Sequence, residues 1–470
     1  MNDIYELAVI GAGPAGMEAA IIASEAGVKT VVIDSYPQAG GQYFKALPKA
    51  FTASKKGNTE KEGDALAERL EKSPAIKLYN TLLWGIFNEE EDQGWLLALY
   101  GLDAPKEVRA RSLILANGAY ETPVPFPGWT LPGVITCGAA LTLVKSQRVI
   151  PGQRALVTGT GPLLLSAAAH LIDAGVEVVS VCEASHLLPK GIAYGPTMLG
   201  QWNRLMEGAK YYSTMFKGKT PYKMGWSILE ALGKEHVEEA VITKVDDNSV
   251  PIPNTQQTVK VDTVVAGYGF MPNIDIPRLI GCKLEYNPKK GGWIPTRDET
   301  LQTSIPGVYV AGDGGGICGA ENSRLEGRLA GIAVAQQTDH MSSSKATELN
   351  RQLQPGLAQQ RRFGRLLGDL FSPKPGLASL AKDDTLVCRC EEITKKEVLA
   401  AIADGCESVI WVKRKTRAGM GMCQGRSCGR HVAQLIVQQT GQDLAEILPD
   451  TQRPPIRPIP LESLNKERSS

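Results

Sequence analysis

The chain has 470 residues, 43% hydrophobic and 21% charged, with a formal net charge of +1. That length holds about three or four domains and can bury sizeable cores. The near-neutral balance excludes a nucleic-acid partner, and no apolar run reaches the roughly 20 residues of a membrane-spanning helix.

Residues 7–34, LAVIGAGPAGMEAAIIASEAGVKTVVID, read as strand, glycine turn, helix, strand. Leu7 to Ile10 are the apolar run of a buried parallel strand. Gly11, Gly13 and Gly16 follow in G-x-G-x-x-G spacing. The first makes the tight turn, the second lets a pyrophosphate approach the backbone, and the third lets the helix pack on the strand. The N–H groups and dipole at the helix start hold phosphate, and Pro14 and Ala15 stand at that start as candidate contacts. Asp34 ends the next apolar run, 23 positions after Gly11. A carboxylate there accepts hydrogen bonds from both ribose hydroxyls, and Ser35 follows it. Gly40 and Gly41 suit close approach to a ligand, whose polar edge Gln42 can reach. The chain starts directly on this strand with no room for a leader, so a reducing, cytoplasmic compartment is expected.

Lys45 to Gly63 reads as a surface loop and Asp64 to Glu71 as a helix. Lys77–Phe87 and Gly94–Tyr100 form an expected hairpin, turning at Glu90, Glu91 and Asp92. Arg111 to Ala116 is a strand, and Asn117, Gly118 and Ala119 make the turn after it. Pro123 to Pro132 is a proline-rich crossover. A second cycle then begins, with strand Arg154–Thr158, turn Gly159-Thr160-Gly161-Pro162-Leu163-Leu164, helix Leu165–Ala174 and strand Val176–Val181. Glu183 falls 24 positions after Gly159, matching the first unit. Leu164 replaces the third glycine and is expected to push the helix off the strand and narrow the cleft. Glu183 repels a 2′-phosphate, which disfavours NADP. The candidate second nucleotide site is Gly159, Gly161, Pro162, Leu163 and Glu183, with occupancy by an adenine nucleotide left open.

Gly191–Gly233 reads as the helical remainder of this inserted domain, followed by strands Val237–Val245 and Thr258–Val265. Gly267–Asn273 crosses back. Gly307–Asp313 is a strand running into Gly312 and Asp313, and a helix follows from about Glu321, with Ala320 at its start. Met341–Gly376 reads as a surface connector. Cys388 and Cys390 then form C-x-C, and Cys423 and Cys428 form C-x4-C, 33 positions after Cys390. Thiolates suit iron–sulfur clusters or zinc, although zinc sites usually use C-x2-4-C pairs. Gly419, Gly421, Gly425 and Gly429 leave backbone N–H groups for sulfur. Lys413, Arg414, Lys415 and Arg417 either offset thiolate charge or form a solvated face. The tail RPPIRPIPLESL should run in extended polyproline form, packed on its own domains or on a partner. The five histidines are dispersed, and no acid–base catalytic residue is expected.

The two glycine units, NGA at 117–119 and AGD at 311–313 together resemble the two-dinucleotide-binding-domain flavoproteins, over roughly residues 5–335. The resemblance implies an α/β fold with two Rossmann-like domains of three-layer β/β/α form, one inserted in the other. It places an FAD-binding domain at 1–150 and 263–340, the insert at 151–262, a connector at 341–382, an iron–sulfur domain at 383–445 and the tail at 446–470. FAD would be held by Gly11, Gly13, Pro14, Ala15, Gly16, Asp34, Ser35, Gly41, Gln42, Asn117, Gly118, Gly312, Asp313 and Ala320. Asp313 would accept from the ribityl chain, and the helix start would stabilise charge on the reduced ring. No C-x-x-C precedes residue 335, so a dithiol reductase is not expected, and Cys137 and Cys318 read as small buried side chains.

CRCEEIT and RAGMGMCQGRSC resemble the small [2Fe–2S] domain of bacterioferritin-associated ferredoxin, across roughly 383–440. By that resemblance Cys388, Cys390, Cys423 and Cys428 are cluster ligands and Cys406 is a core residue. The whole combination resembles the α subunit of multi-subunit amino-acid and opine dehydrogenases, of the hydrogen cyanide synthase, opine oxidase and proline or hydroxyproline dehydrogenase type. It implies an electron-transfer oxidoreductase subunit with FAD and a [2Fe–2S] cluster. It further implies a flavin-containing β subunit of D-amino-acid-oxidase type, room for a small third subunit, an acceptor such as a quinone, and contact with the inner membrane only through partners. Two alternatives are a self-sufficient NADH-dependent acceptor reductase and a non-catalytic assembly subunit.

Overall fold

The computed structural model describes residues 4–45, 57–89, 94–186 and 201–464. Met1–Tyr120, Met271–Gly364 and Thr451–Ser470 form one compact unit, and Glu121–Phe270 with Arg365–Asp450 form another.

In the first unit, parallel strands Ile76–Leu78, Thr30–Ile33, Tyr5–Ile10 and Glu107–Leu115 lie in that order, with Val308–Val310 beyond. Side chains alternate between faces along a strand, and here both faces are apolar. Leu7, Val9, Val32, Ile114 and Tyr309 face a core shared with helices Pro14–Glu25 and Ala320–Gln337. Ala8, Ile10, Val31, Leu113, Leu115 and Val310 face a second core, shared with the antiparallel hairpin Leu82–Glu89 and Gly94–Tyr100. Burial on both faces is why these strands read as unbroken hydrophobic runs. Glu107–Leu115 joins the two β layers: residues 113–115 pair with Val308–Val310, and residues 107–110 pair with the hairpin. The two helices touch backbone to backbone. A Cβ at Gly327 would lie 2.1 Å from the Ala15 carbonyl oxygen.

The second unit repeats the plan. Tyr222–Met224, Glu177–Glu183, Arg154–Thr160, Thr263–Tyr268 and Val134–Thr136 form a parallel sheet. Ala155, Val157, Val181 and Val265 face helix Leu163–Asp173 and Met215 of helix Trp202–Lys217. Leu156, Cys182, Val264 and Tyr268 face an antiparallel sheet of Trp226–Leu232, Glu239–Lys244 and Gln257–Lys260. Leu377 and Leu380, on either side of the end of the turn Pro375–Ser379, enter this same core beside Phe126 and Trp129. Beyond them a ribbon, Leu386–Cys388 with Ile393–Thr394, leads into helices Lys395–Ala403, Val409–Thr416 and Gly429–Thr440. Val398, Val412, Leu435 and Ile436 form the small core between them. Thr394 and Glu397 cap the first helix reciprocally, and Ser408 caps the second.

Several elements differ from expectation. Residues 77–87 are two strands, because Asn80 takes a left-handed φ of 50° between Ile76–Leu78 and Leu82–Glu89. The helix expected at Asp64 spans Asn58–Lys72, with Glu60 accepting the Gly57 N–H at 2.8 Å. Residues 46–56, the charged turn at 90–93 and the stretch 187–200 lie outside the described residues. The connector is one helix, Ser343–Phe371, that runs through Pro355 and buries Leu357 fully. The tail packs on its own chain: Ile456 is buried in the hairpin-side core, and its N–H donates to the Trp84 carbonyl.

Candidate functional site

The first glycine turn sits where the strand Tyr5–Ile10 ends and the helix Pro14–Glu25 begins. Gly11 has φ 103°, and a Cβ there would lie 2.5 Å from the Ala116 carbonyl oxygen. A Cβ at Gly16 would come within 1.8 Å of the Gly11 oxygen, so helix and turn close only over a hydrogen. Gly41 backs onto Gly13, with 2.8 Å between its would-be Cβ and the Gly13 Cα. The Asp34 carboxylate accepts from the Ala12 N–H at 2.5 Å and the Tyr36 N–H at 2.8 Å. Burial pushes its pKa up against those two bonds. Ser35 and Gln42 are not buried, and the Gln42 amide donates to the Tyr36 hydroxyl.

Asn117 and Asn273 bind reciprocally: the Asn117 amide donates to the Asn273 carbonyl at 2.8 Å, and the Asn273 amide to the Asn117 carbonyl at 3.3 Å. The Asn273 N–H takes the Gly118 carbonyl. Asp313 is half-buried and accepts from the Cys318 and Gly319 N–H groups, both at 3.0 Å, which ties it to the start of Ala320–Gln337. Burial raises its pKa too. A dinucleotide fits this cradle. A Cβ at Gly13 would meet nothing nearer than the Gly41 Cα at 3.9 Å, which leaves the turn open to a backbone-hugging ligand, and the Oδ1 atoms of Asn117 and Asn322 are buried without a hydrogen-bond partner.

Two supporting networks escaped sequence reasoning. The Glu18 side chain has zero exposure inside the helix Pro14–Glu25, and it holds Arg328 at 2.9 and 3.0 Å, Arg324 at 3.1 Å and Arg69 at 3.6 Å. Burial pushes the Glu18 carboxyl up, but the bonds from Arg328 and the three guanidinium charges outweigh it and hold the pKa low. Arg297 binds Glu326 at 2.8 Å, the Val310 carbonyl at 2.8 Å and the Gly315 carbonyl at 3.0 Å. Glu326 in turn accepts the Gly312 N–H at 3.0 Å, so the pair clamps both sides of the turn that carries Asp313. The available signals were an acid in the middle of an Ala/Ile-rich helix and an Arg pair four residues apart, at 324 and 328.

The second turn has the same layout. A Cβ at Gly159 would lie 1.8 Å from the Gly267 oxygen. Glu183 is fully buried and its pKa is raised by that burial. Its carboxylate accepts from Gly161 N–H and Ser185 N–H, both at 2.9 Å, and from the Tyr222 hydroxyl at 3.4 Å. Pro162 precedes the helix, which starts at Leu163. Leu164 is buried, and room for it comes from the neighbouring strand: a Cβ at Gly267 would meet Cys137 Sγ at 2.6 Å and Leu164 Cδ2 at 3.3 Å.

The four cysteines come together as two pairs. Cys388 neighbours Cys428, and Cys390 neighbours Cys423. Among the described residues no three His, Cys, Asp or Glu side chains converge as for a single ion. Two thiolate pairs fit the two irons of a [2Fe–2S] cluster better than one tetrahedral zinc. Backbone N–H groups of Gly419, Glu391 and Cys390 face the Cys388 sulfur; with the Cys428 thiol as the largest influence they bring its pKa down to about 5. The neighbouring Cys388 and its own burial push the Cys428 pKa up. The basic run is mostly paired, Lys413 with Asp450, Lys415 with Asp404 and Arg417 with Glu391, while Arg414 lies over Trp411. Cys406 is half-buried against the small core. Cys137 is buried, and Cys318 Sγ would lie 2.4 Å from a Cβ at Gly364.

Residues 5–198 and 222–337 match the pyridine nucleotide-disulphide oxidoreductase family, and residues 386–438 match the BFD-like [2Fe-2S] binding domain. The chain is 33% identical to the A subunit of opine oxidase from Rhizobium meliloti (strain 1021), over 97% of this chain and 98% of that protein. It is 30% identical to the HcnB subunit of hydrogen cyanide synthase from Pseudomonas protegens, over 96% of each. The L-proline dehydrogenase of P. horikoshii shares its fold, with a TM-score of 0.72 at 22% identity over 99% of this chain and 80% of that one. The same holds, over 71% of this chain and 99% of that one, for thioredoxin reductase of T. acidophilum, with a TM-score of 0.54 at 18% identity. Among the described residues no helix is long and apolar enough to cross a membrane. The chain belongs to the pyridine nucleotide-disulphide oxidoreductase family, in the group that holds the opine oxidase A subunit, and is an oxidoreductase with FAD and a [2Fe–2S] cluster as its cofactors.

Proposed function

We propose that this chain is the electron-transfer subunit of a heteromeric dehydrogenase, whose partner flavoprotein subunit oxidises a C–N bond of an amino acid or opine. The observation that carries the reading is the two cysteine pairs of the cluster segment in the same chain as the Gly11–Gly16 turn. Full-length similarity to proteins named as subunits of opine oxidase and hydrogen cyanide synthase supports it. FAD takes electrons in pairs and the cluster takes them singly, which suits splitting a pair between donor and acceptor. The chain's own residues bind and orient. The Gly11, Gly13 and Gly16 turn, with Pro14 and Ala15, holds pyrophosphate; Asp34 and Ser35 take the ribose, and Gly41 and Gln42 line the same end. Asn117, Gly118, Gly312, Asp313 and Ala320 hold the ribityl and ring end. Cys388, Cys390, Cys423 and Cys428 hold the cluster. Gly159, Gly161, Pro162, Leu163 and Glu183 take an adenine nucleotide without a 2′-phosphate, and the acceptor is a quinone or a carrier of similar potential. The subunit works in the cytoplasm and meets the inner membrane through its partners.

The test is co-purification from the native host followed by anaerobic substrate addition. A second flavoprotein of D-amino-acid-oxidase type should accompany the chain, and an amino acid or opine should bleach both flavins. Rapid bleaching of the isolated chain by NADH would favour a self-sufficient reductase instead, and amine oxidation by the isolated chain would overturn the division of labour. Nucleotide released on denaturation reports the occupant of the second turn.

A further inference from the structure

The ribbon that carries Cys388 and Cys390 has a partner outside the cluster segment. Trp129, in the proline-rich crossover, is 8% exposed and packs in the core of the second unit. Its indole N–H donates to the Leu386 carbonyl at 2.7 Å. The Arg389 guanidinium lies over the same indole, 5.3 Å from the ring centroid. Leu386 comes just before Cys388, and Arg389 stands between Cys388 and Cys390, so one indole holds the ribbon on both sides of Cys388. Arg389 also differs from most of the cations around it. Lys413, Lys415 and Arg417 are matched with carboxylates, whereas Arg389 makes no ion pair among the described residues.

We propose that Trp129 and Arg389 form a positioning pair that fixes the C-x-C ligands and raises the reduction potential of the cluster. The inference rests on the assignment of the four cysteines as ligands. Reduction adds one negative charge to the cluster. A fixed cation one residue from two of its thiolates stabilises the reduced form more than the oxidised one. An arginine left free in solvent would spend most of its time elsewhere, and the indole holds it in place through a cation–π contact. Arg389 is itself solvent-exposed, so salt screens its effect.

The test is a redox titration of the full-length chain, followed by visible circular dichroism and by electron paramagnetic resonance of the reduced protein. Arg389→Gln should keep the cluster signal and move its potential to a more negative value, and Arg389→Lys should recover part of the shift. The difference between wild type and Arg389→Gln should shrink as ionic strength rises. Trp129→Leu should shift the potential in the same direction, and the double variant should move no further than Arg389→Gln alone, because Trp129 acts through Arg389. If Trp129→Leu does not fold, Trp129→Phe keeps a ring for the guanidinium but loses the N–H, and its shift should be smaller than that of Arg389→Gln. Equal potentials in wild type and Arg389→Gln, with the signal intact, would overturn the inference. So would additive shifts in the double variant. A wild-type chain without a [2Fe–2S] signal would overturn the ligand assignment beneath it.

Discussion

Replacing Glu18 with Ala should destabilise the FAD-type unit more than any ordinary surface change. Its side chain has zero exposure, and Arg324, Arg328 and Arg69 are 17%, 33% and 46% exposed. Removing one partner of a buried ion pair costs about 3–5 kcal/mol, since it strands the other charge. The low end applies here. Arg69 is half in water and contributes little, and Arg324 keeps Glu62 and Glu321. A loss of about 3 kcal/mol corresponds to a drop of about 6–12 °C in Tm for a unit of this size. Glu18→Gln keeps two acceptor or donor sites without the charge and should fall between. The pH dependence has a definite sign. The Glu18 pKa in the folded protein lies below its ordinary value of 4.5. Its contribution is therefore complete above 4.5 and is lost as the pH falls through the lower, folded value. Thermal unfolding followed by far-UV circular dichroism and flavin release, with FAD saturating, measures both effects. A Glu18→Ala variant within 2 °C of wild type, roughly 1 kcal/mol by the same conversion, would refute the reasoning.

Asp34→Asn should weaken FAD binding and change the pH dependence of the FAD-free chain. Burial raises the Asp34 pKa, so its ionised form destabilises the FAD-free chain as the pH rises through that value. The variant should lose that pH dependence in the FAD-free chain and set its Nδ2 against one of the two backbone N–H groups, and it should bind FAD at least about tenfold more weakly, having lost charge-assisted bonds; calorimetric titration with FAD checks this. Cys388→Ser, Cys390→Ser, Cys423→Ser and Cys428→Ser should each abolish or alter the cluster's visible circular dichroism, while Cys406→Ser leaves it unchanged. Zinc in place of iron in the purified chain would contradict the pairing of the cysteines. Ile456→Ala should cost about 2–4 kcal/mol by emptying a fully buried site, read from urea unfolding; a value below about 0.5 kcal/mol would mean that the tail does not pack there.

What the sequence made legible was local. Both glycine turns, their acids at fixed distance and the cysteine spacings depend on neighbouring residues, so a single chain reading reaches them. The apolar runs gave the parallel strands because burial on two faces removes polar residues from both parities. Less local features were hidden. Glu18 meets Arg324 and Arg328 across about 300 positions, and an acid within an apolar helix signals that a partner exists without saying where it lies. The break at Asn80 was masked by the hydrophobic run on either side, since only the backbone angle reveals it. Leu164 was read as an obstruction because the turn was considered alone; the missing side chain that accommodates it, at Gly267, belongs to another strand. The anchoring of the cluster segment through Trp129 joins residues 257 positions apart, beyond the reach of any local pattern.

That anchoring changes how the inserted domain is understood. One face of its parallel sheet packs on Leu163–Asp173 and carries the second glycine turn. The other face builds a core into which Phe126, Trp129, Leu377 and Leu380 converge. Leu380 lies only eight positions before Cys388, too short a tether for the C-x-C ribbon to travel far from that core. The Lys382 ammonium adds a bond to Glu230 at 3.0 Å, and the Lys382 N–H takes the Thr385 hydroxyl. A domain whose glycine motif departs from the pattern at Leu164 thus has a structural task that does not depend on a nucleotide. Trp129 and Glu230 of this unit hold the stretch that leads into Cys388 and Cys390, and the three-stranded sheet packs in the same core as Trp129.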